Sequence, residues 1–330
     1  GAGGRREGQT GLSAAVAAVA FWYTTNICLL LTNRALLMAS FRKPAFLTLL
    51  HMLTTCAMMN LFVYVLRLTE PEPIKSRRQL FKILVLSFTF GPSIVLGVSS
   101  LKFIPVNLEE AIASTTPLAT ALFLYLLTGK VESTSKYASM VVVVAGIAVA
   151  SQGEPAWHTL GVSLAVLSTL SRGLKSVMQQ ILMSNDEEKL KPMNLVRWMA
   201  LFAAIMVLPV VSLVDGWGDV FARLRAAREG DSGFVKMLSI NLCLAAAQNL
   251  ANFLVTKCVG ALTCQVLGNA KNILGAAVSV VVFSTTLTAT SVLGYSITAV
   301  GIILYCGVLY QQGKPKQTGV KQPLLGKGEP

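Results

Sequence analysis

The chain has 330 residues, 54% of them hydrophobic and 13% charged, with a mean hydropathy of +0.63. Soluble domains carry about 25% charged residues, so a water-soluble globular domain is excluded. The formal net charge of +13 would suit a nucleic-acid binder, but its cations sit largely in short loops between apolar runs, where they set membrane topology; no nucleic-acid partner is expected.

Residues 1–11 form a short polar tail, and the apolar run after it is too long for a signal peptide. Ten runs of roughly bilayer length follow one another: 12–33, 44–66, 80–100, 105–128, 137–152, 157–182, 193–214, 234–256, 260–284 and 287–311. Lipid offers backbone amides no partners, so each must be a helix. The fold class is therefore an all-α polytopic membrane protein with ten transmembrane helices. Lys and Arg are richer on one side of this topology, as in "KSRRQLFK" at 75–82, which places both termini in the cytosol. Residues 312–330 read as a disordered cytosolic tail. Six cysteines without CxxC spacing read as small packing residues, and no metal or cofactor is expected.

Slid by 155 residues, "LKFIPVNLEEAIASTTPLATALFLYLL" from 101 lies without a gap over "TKCVGALTCQVLGNAKNILGAAVSVVV" from 256. Lys102 then meets Lys257, Thr116 meets Lys271 and Gly146 meets Gly301. Two five-helix repeats, 12–152 and 157–311, would follow. Because five is odd, the second is inverted, an arrangement that puts a binding site near the midplane between the halves.

Cations inside the spans mark that site. Lys271 interrupts "VLGNAKNILGAAVSVVVF", which otherwise suits lipid throughout. An unpaired ammonium in hydrocarbon is costly, and Lys271 has no evident partner, so it is assigned to substrate. Gly268, Lys271, Asn272, Gly275 and Ser279 share a helical face. Ser168, Arg172, Lys175, Ser176 and Gln179 form a second stripe, and Asn241, Gln248, Asn252 and Thr256 a third. The candidate substrate-binding residues are Lys271 and Lys175, then Asn272, Asn269, Thr116, Thr115, Ser114 and Arg172, with Tyr23 and Asn26 reaching a sugar or base. Arg172 and Lys175 have a competing assignment: either snorkels to an interface or pairs with a carboxylate from another helix, Glu109 and Glu110 being the acids placed inside a span. Those acids also suit a helix start, since Asn107-Leu108-Glu109-Glu110 reads as an N-cap followed by an early acid. His51 reads as a hydrogen-bonded packing residue, and the absence of HExxH, GxSxG and P-loop motifs argues against a membrane-embedded enzyme. Inward-facing cations argue against a non-transporting scaffold.

The stretches "FWYTTNICLLLTNRALL", "KPAFLTLLHM", "LKSVMQQILMS", "EKLKPMNL" and "NFLVTKCVGALTCQVLGNAKN" resemble the drug/metabolite transporter superfamily. The likeness is to its triose-phosphate and nucleotide-sugar transporter branch, and most of all to plant Golgi UDP-sugar carriers of the UDP-uronic acid type. It runs from about residue 20 to 311. The resemblance implies alternating-access exchange of a cytosolic nucleotide sugar for lumenal UMP, in a Golgi membrane. Plastid phosphate carriers have a histidine and a lysine where this chain has Glu110 and Ala113, and an arginine after the lysine where it has Asn272; their arginine on the sixth helix corresponds to Lys175. Fewer cations favour the larger nucleotide sugar over a small phosphate ester. The alternative is a plastid-type sugar-phosphate/phosphate antiporter in the inner envelope. Glu110 stands where the similar UDP-sugar carriers have an uncharged residue, and an ionised carboxylate facing the cavity would disfavour an acidic sugar.

Overall fold

A computed structural model of the chain describes residues 2–39, 43–100, 103–104, 109, 112–150, 158–184, 187–230, 233–283 and 288–313. Among these residues the chain is helical, without strands. In chain order the helices are α1 (Ala2–Ala39), α2 (Pro44–Asn60), α3 (Arg77–Ser100), α4 (Thr116–Thr128), α5 (Thr134–Ala150) and α6 (Thr159–Ser184), then α7 (Pro192–Val210), α8 (Trp217–Gly230), α9 (Phe234–Val259), α10 (Ala261–Phe283) and α11 (Ala289–Gly313). Helices α2 and α7 each end in a π-helical turn, at Leu61–Val65 and Val211–Asp215. Among the described residues, five helical segments are long and apolar enough to cross a bilayer: Ser13–Asn33, Pro44–Val65, Pro192–Asp215, Phe234–Val259 and Ala289–Gln312.

Two expectations need correction. The run 105–128 is not one continuous helix: Ile112 and Ala113 are helical, Ser114 and Thr115 make a turn, and α4 restarts at Thr116 with a proline in its first turn. Pro117 lacks an N–H to bond backwards and suits a helix start. The expected tail 1–11 is helical from Ala2, where α1 begins, and the membrane-length apolar run within α1 starts at Ser13. The loop after α7 holds a further helix, α8, whose polar composition hid it from a search for apolar runs. Residues 314–330 of the expected C-tail, together with Lys102 and Glu110, lie outside the described residues.

The helices pack mainly in pairs: α1 on α9, α2 on α7, α3 on α6 and α5 on α11. The last pair is the closest. A methyl group on Gly146 would lie 2.5 Å from the Thr298 amide nitrogen, and one on Gly301 2.8 Å from the Val143 nitrogen, so these glycines let backbone touch backbone. One apolar cluster joins α2, α7 and α8 through Met52, Ala203, Val207 and Val220, and a second joins α3, α6, α7 and α9 through Leu86, Leu182, Met199 and Phe253.

Polar contacts fasten the ends. Asp215 accepts the Phe46 amide at 2.7 Å, giving the N-terminus of α2 an acidic partner from the other half of the chain. Lys43, just before Pro44, donates to the Asp215 carbonyl at 2.6 Å and to Asp219 at 3.0 Å. Beyond the far ends of these helices, Glu188 accepts from Lys82 and from Ser76, while Gln79 donates to the Glu188 carbonyl at 2.8 Å. The Lys82 hydrogen bond holds the Glu188 carboxyl below its ordinary range, and the Lys43 bond does the same for Asp219. Arg197, near the start of α7, is buried and was not read as an interior cation. It donates to the Glu72 carbonyl at 3.2 Å and lies over the rings of Tyr64 and Trp198.

Candidate functional site

A cavity of about 270 Å³ opens between α1, α3, α6, α9, α10 and the turn before α4. Its lining is polar because several helices turn their hydrophilic stripes inward. From α10 come Gln265, Gly268, Asn269 and Lys271; from α6, Arg172, Lys175 and Ser176; from α9, Gln248 and Asn252. Spacings of three and four residues bring these groups to one side of each helix. Trp22, Ser93, Ala113 and Thr116 close the remaining walls.

The two lysines lie without a carboxylate partner among the described residues. Lys271 Nζ stands 5.5 Å from the centre of the Trp22 ring, and Lys175 Nζ stands 4.7 Å from the Phe90 ring. Aromatic faces offset only part of the cost of removing an ammonium from water, by about 0.5–2 kcal/mol. Arg172 differs, because its guanidinium meets Glu109 at 3.2 Å and so takes the competing assignment while still lining the cavity.

Hydrogen bonds fix the walls. The Tyr23 hydroxyl donates to the Leu267 carbonyl at 2.6 Å and ties α1 to α10. Thr25 donates to Gln248 at 2.8 Å, and Gln265 donates to Ser176 at 2.5 Å. Asn269 donates to the Ser114 carbonyl at 3.0 Å, so α10 holds the turn that precedes α4. Ser114 and Asn269 are 155 residues apart, the same offset that superimposes the two halves of the sequence.

Of the ten candidate residues, Lys271, Lys175, Asn269, Thr116 and Arg172 line the cavity. Ser114, Thr115, Tyr23 and Asn26 do not: Ser114 presents its carbonyl to Asn269, Thr115 bonds the Ile112 carbonyl, Tyr23 bonds α10 and Asn26 is half-buried on α1. Asn272 belongs to α10, but its side chain lies outside those described. The polar stripes divide likewise. Gln179 donates to Thr256 at 2.9 Å and Asn241 bonds His51, Thr32 and Asn33, so these residues join helices. Trp22, Ser93 and Gln265 were not expected at the site; Gln265 could have been found from its place one turn before Asn269, whereas nothing local marks Trp22.

The sequence matches the profile of the Triose-phosphate Transporter family over residues 13–306. It is 43% identical to a probable sugar phosphate/phosphate translocator of Arabidopsis thaliana, covering 87% of this chain and 93% of that one. It is 41% identical to UDP-uronic acid transporter 1 of the same plant, covering 86% and 92%. Human solute carrier family 35 member E4 is more distant, at 31% identity over 80% and 71%. A crystal structure sharing 14% identity superposes with a TM-score of 0.65 over 91% of this chain and 98% of its own, a likeness of fold alone.

Proposed function

The chain belongs to the Triose-phosphate Transporter family, a family of multi-pass membrane carriers, and from that premise we propose that it exchanges a cytosolic UDP-sugar for lumenal UMP by alternating access. The observation that carries this reading is the pair of lysines, Lys175 and Lys271, facing a polar cavity with no carboxylate partner among the described residues. An empty cavity with two uncompensated ammonium groups resists enclosure, and a bound phosphate relieves that cost, so crossing requires an anion in each direction. Lys271 and Lys175 hold the phosphates, with Asn269, Thr116, Ser176 and Gln265 as hydrogen-bonding neighbours. Trp22 offers a ring to stack on a base or sugar. Asn272, one turn along from Gly268, is retained as a further contact.

In this reading ten spans form two inverted halves, 12–152 and 157–311, with both termini in the cytosol and the protein in a Golgi membrane. The packing supports it: α3 lies on α6 as α9 lies on α1, and the tight contact of Gly146 with Thr298 has its counterpart in that of Gly301 with Val143. A UDP-uronic acid is one candidate cargo, supported by the 41% identical relative that carries that name.

A second reading is sugar-phosphate/phosphate exchange in a plastid envelope. It is favoured by the 43% identical relative and by the cavity's size, which sits below the ~300–1,000 Å³ common for small-molecule pockets. A nucleotide sugar requires that cavity to widen on opening; a sugar phosphate does not. Purified protein in vesicles preloaded with UMP or with inorganic phosphate separates the two. UMP-dependent uptake of UDP-sugars is expected, and phosphate-dependent uptake of sugar phosphates without it replaces the first reading by the second.

A further inference from the structure

Arg172 and Glu109 form an ion pair beside the two unpaired lysines. The pair is seated against α3, where Gly97 leaves the backbone bare: a methyl group there would stand 3.0 Å from Arg172 Nη2, 3.0 Å from Ser168 Oγ and 3.5 Å from Glu109 Oε1. Ser168 donates to the Ser93 carbonyl at 2.6 Å and fixes α6 on α3 at the same level. The Arg172 side chain is 37% exposed and lines the cavity, whereas that of Glu109 is 15% exposed. Arg172 is thus among the residues that line the cavity and Glu109, its partner, is not. Among the described residues the cavity and its border therefore carry three cations and one anion, a surplus of two positive charges.

We propose that Glu109 is a specificity-determining residue: as a built-in counter-ion it cancels Arg172 and sets the cavity to accept dianions in preference to trianions. This rests on the exchange reading above and deepens it by naming the charge class of the cargo. At neutral pH a UDP-hexose and UMP are dianions, whereas a UDP-uronate carries a third negative charge on its sugar carboxylate. Counted over the described residues, two exchanged dianions leave the occupied site neutral on both strokes. A trianion leaves one negative charge inside a low-dielectric wall, unless Arg172 is released from Glu109 to meet it.

The test is counter-exchange in UMP-loaded vesicles, measuring initial uptake of UDP-glucuronate and UDP-glucose by the parent protein and by two variants with opposite expected signs. Glu109→Gln raises the surplus from two to three, and the UDP-glucuronate to UDP-glucose uptake ratio is expected to rise about tenfold. Arg172→Gln leaves Glu109 uncompensated and lowers the surplus to one, so the ratio is expected to fall by a similar factor. The double variant, again with a surplus of two, is expected to return the ratio to that of the parent. Ratios within twofold of the parent in both single variants overturn the proposal, as does a shift of the same sign in both. Should one single variant fail to fold, the sign of the other and the return in the double variant decide the matter. A parent protein that takes up neither UDP-sugar overturns the exchange reading itself, and this inference with it.

Discussion

Lys43 and Lys82 stand near helix ends, Lys175 and Lys271 within helices, and the protein treats the two sets in opposite ways. At the ends each ammonium meets a carboxylate: Lys43 with Asp219, and Lys82 with Glu188. In the interior, where an uncompensated charge costs far more, the ammonium groups meet only the faces of Phe90 and Trp22 among the described partners. Were charge arranged for stability alone, the pairing would be the reverse. The end lysines close the ends of the bundle, and in the proposed function the interior ones await an anionic substrate.

Lys271→Ala tests that division hardest. Exchange in reconstituted vesicles is expected to fall about 10- to 100-fold, the worth of a charge-assisted hydrogen bond, while gel-filtration profile and helicity stay those of the parent. Activity within twofold of the parent erases the distinction between the sets. Lys175→Ala is expected to lose about tenfold, and the double variant less than the product of the two losses, because in the proposed function both groups hold one anion. Independent, multiplying losses would mean two separate ligands. Lys43→Ala removes a partner of Asp219 and of the Asp215 carbonyl. Its expected cost is about 1–3 kcal/mol, read as a melting temperature lower by several degrees, with exchange per folded molecule retained.

Lys82→Ala should show the smallest effect, under about 1 kcal/mol at neutral pH. Here pH gives a sharper readout. Glu188 titrates below its ordinary value of 4.5 in the folded protein, because Lys82 stabilises the carboxylate. Its contribution is therefore complete above the unfolded value and vanishes as pH falls through the folded one. The stability gap between Lys82→Ala and the parent is expected to narrow as thermal melts are taken below pH 4.5, and a gap that widens in acid would refute the pairing.

Long apolar runs with caps and prolines were legible because bilayer thickness and backbone hydrogen bonding leave few options. The start of α4 was not, although "STTPL" holds the proline that marks it, since hydropathy continues across the break. Helix α8 was missed for the opposite reason: "WGDVFARLRAAREG" is too polar to register as a span. At the site, Lys175 and Lys271 stood out because charge in an apolar run has few explanations. Tyr23 was read as a substrate contact, but its hydroxyl spends itself on the Leu267 carbonyl. Periodicity places a residue on a face of its own helix; it does not say which neighbour that face meets. That information is carried by packing between segments more than 200 residues apart, as between Tyr23 and Leu267.

Where α5 and α11 cross, main chain rests on main chain, with Gly146 against Thr298 and Gly301 against Val143. Side chains swivel and absorb small displacements; peptide planes in direct contact have almost no such give. The two rods are thus clamped as a stiff plank, and the rocking that the proposed exchange requires is expected to pivot around this clamp rather than within it. Flexure is then expected where regular winding already breaks, at the turn Ser114–Thr115 and the π-helical ends of α2 and α7.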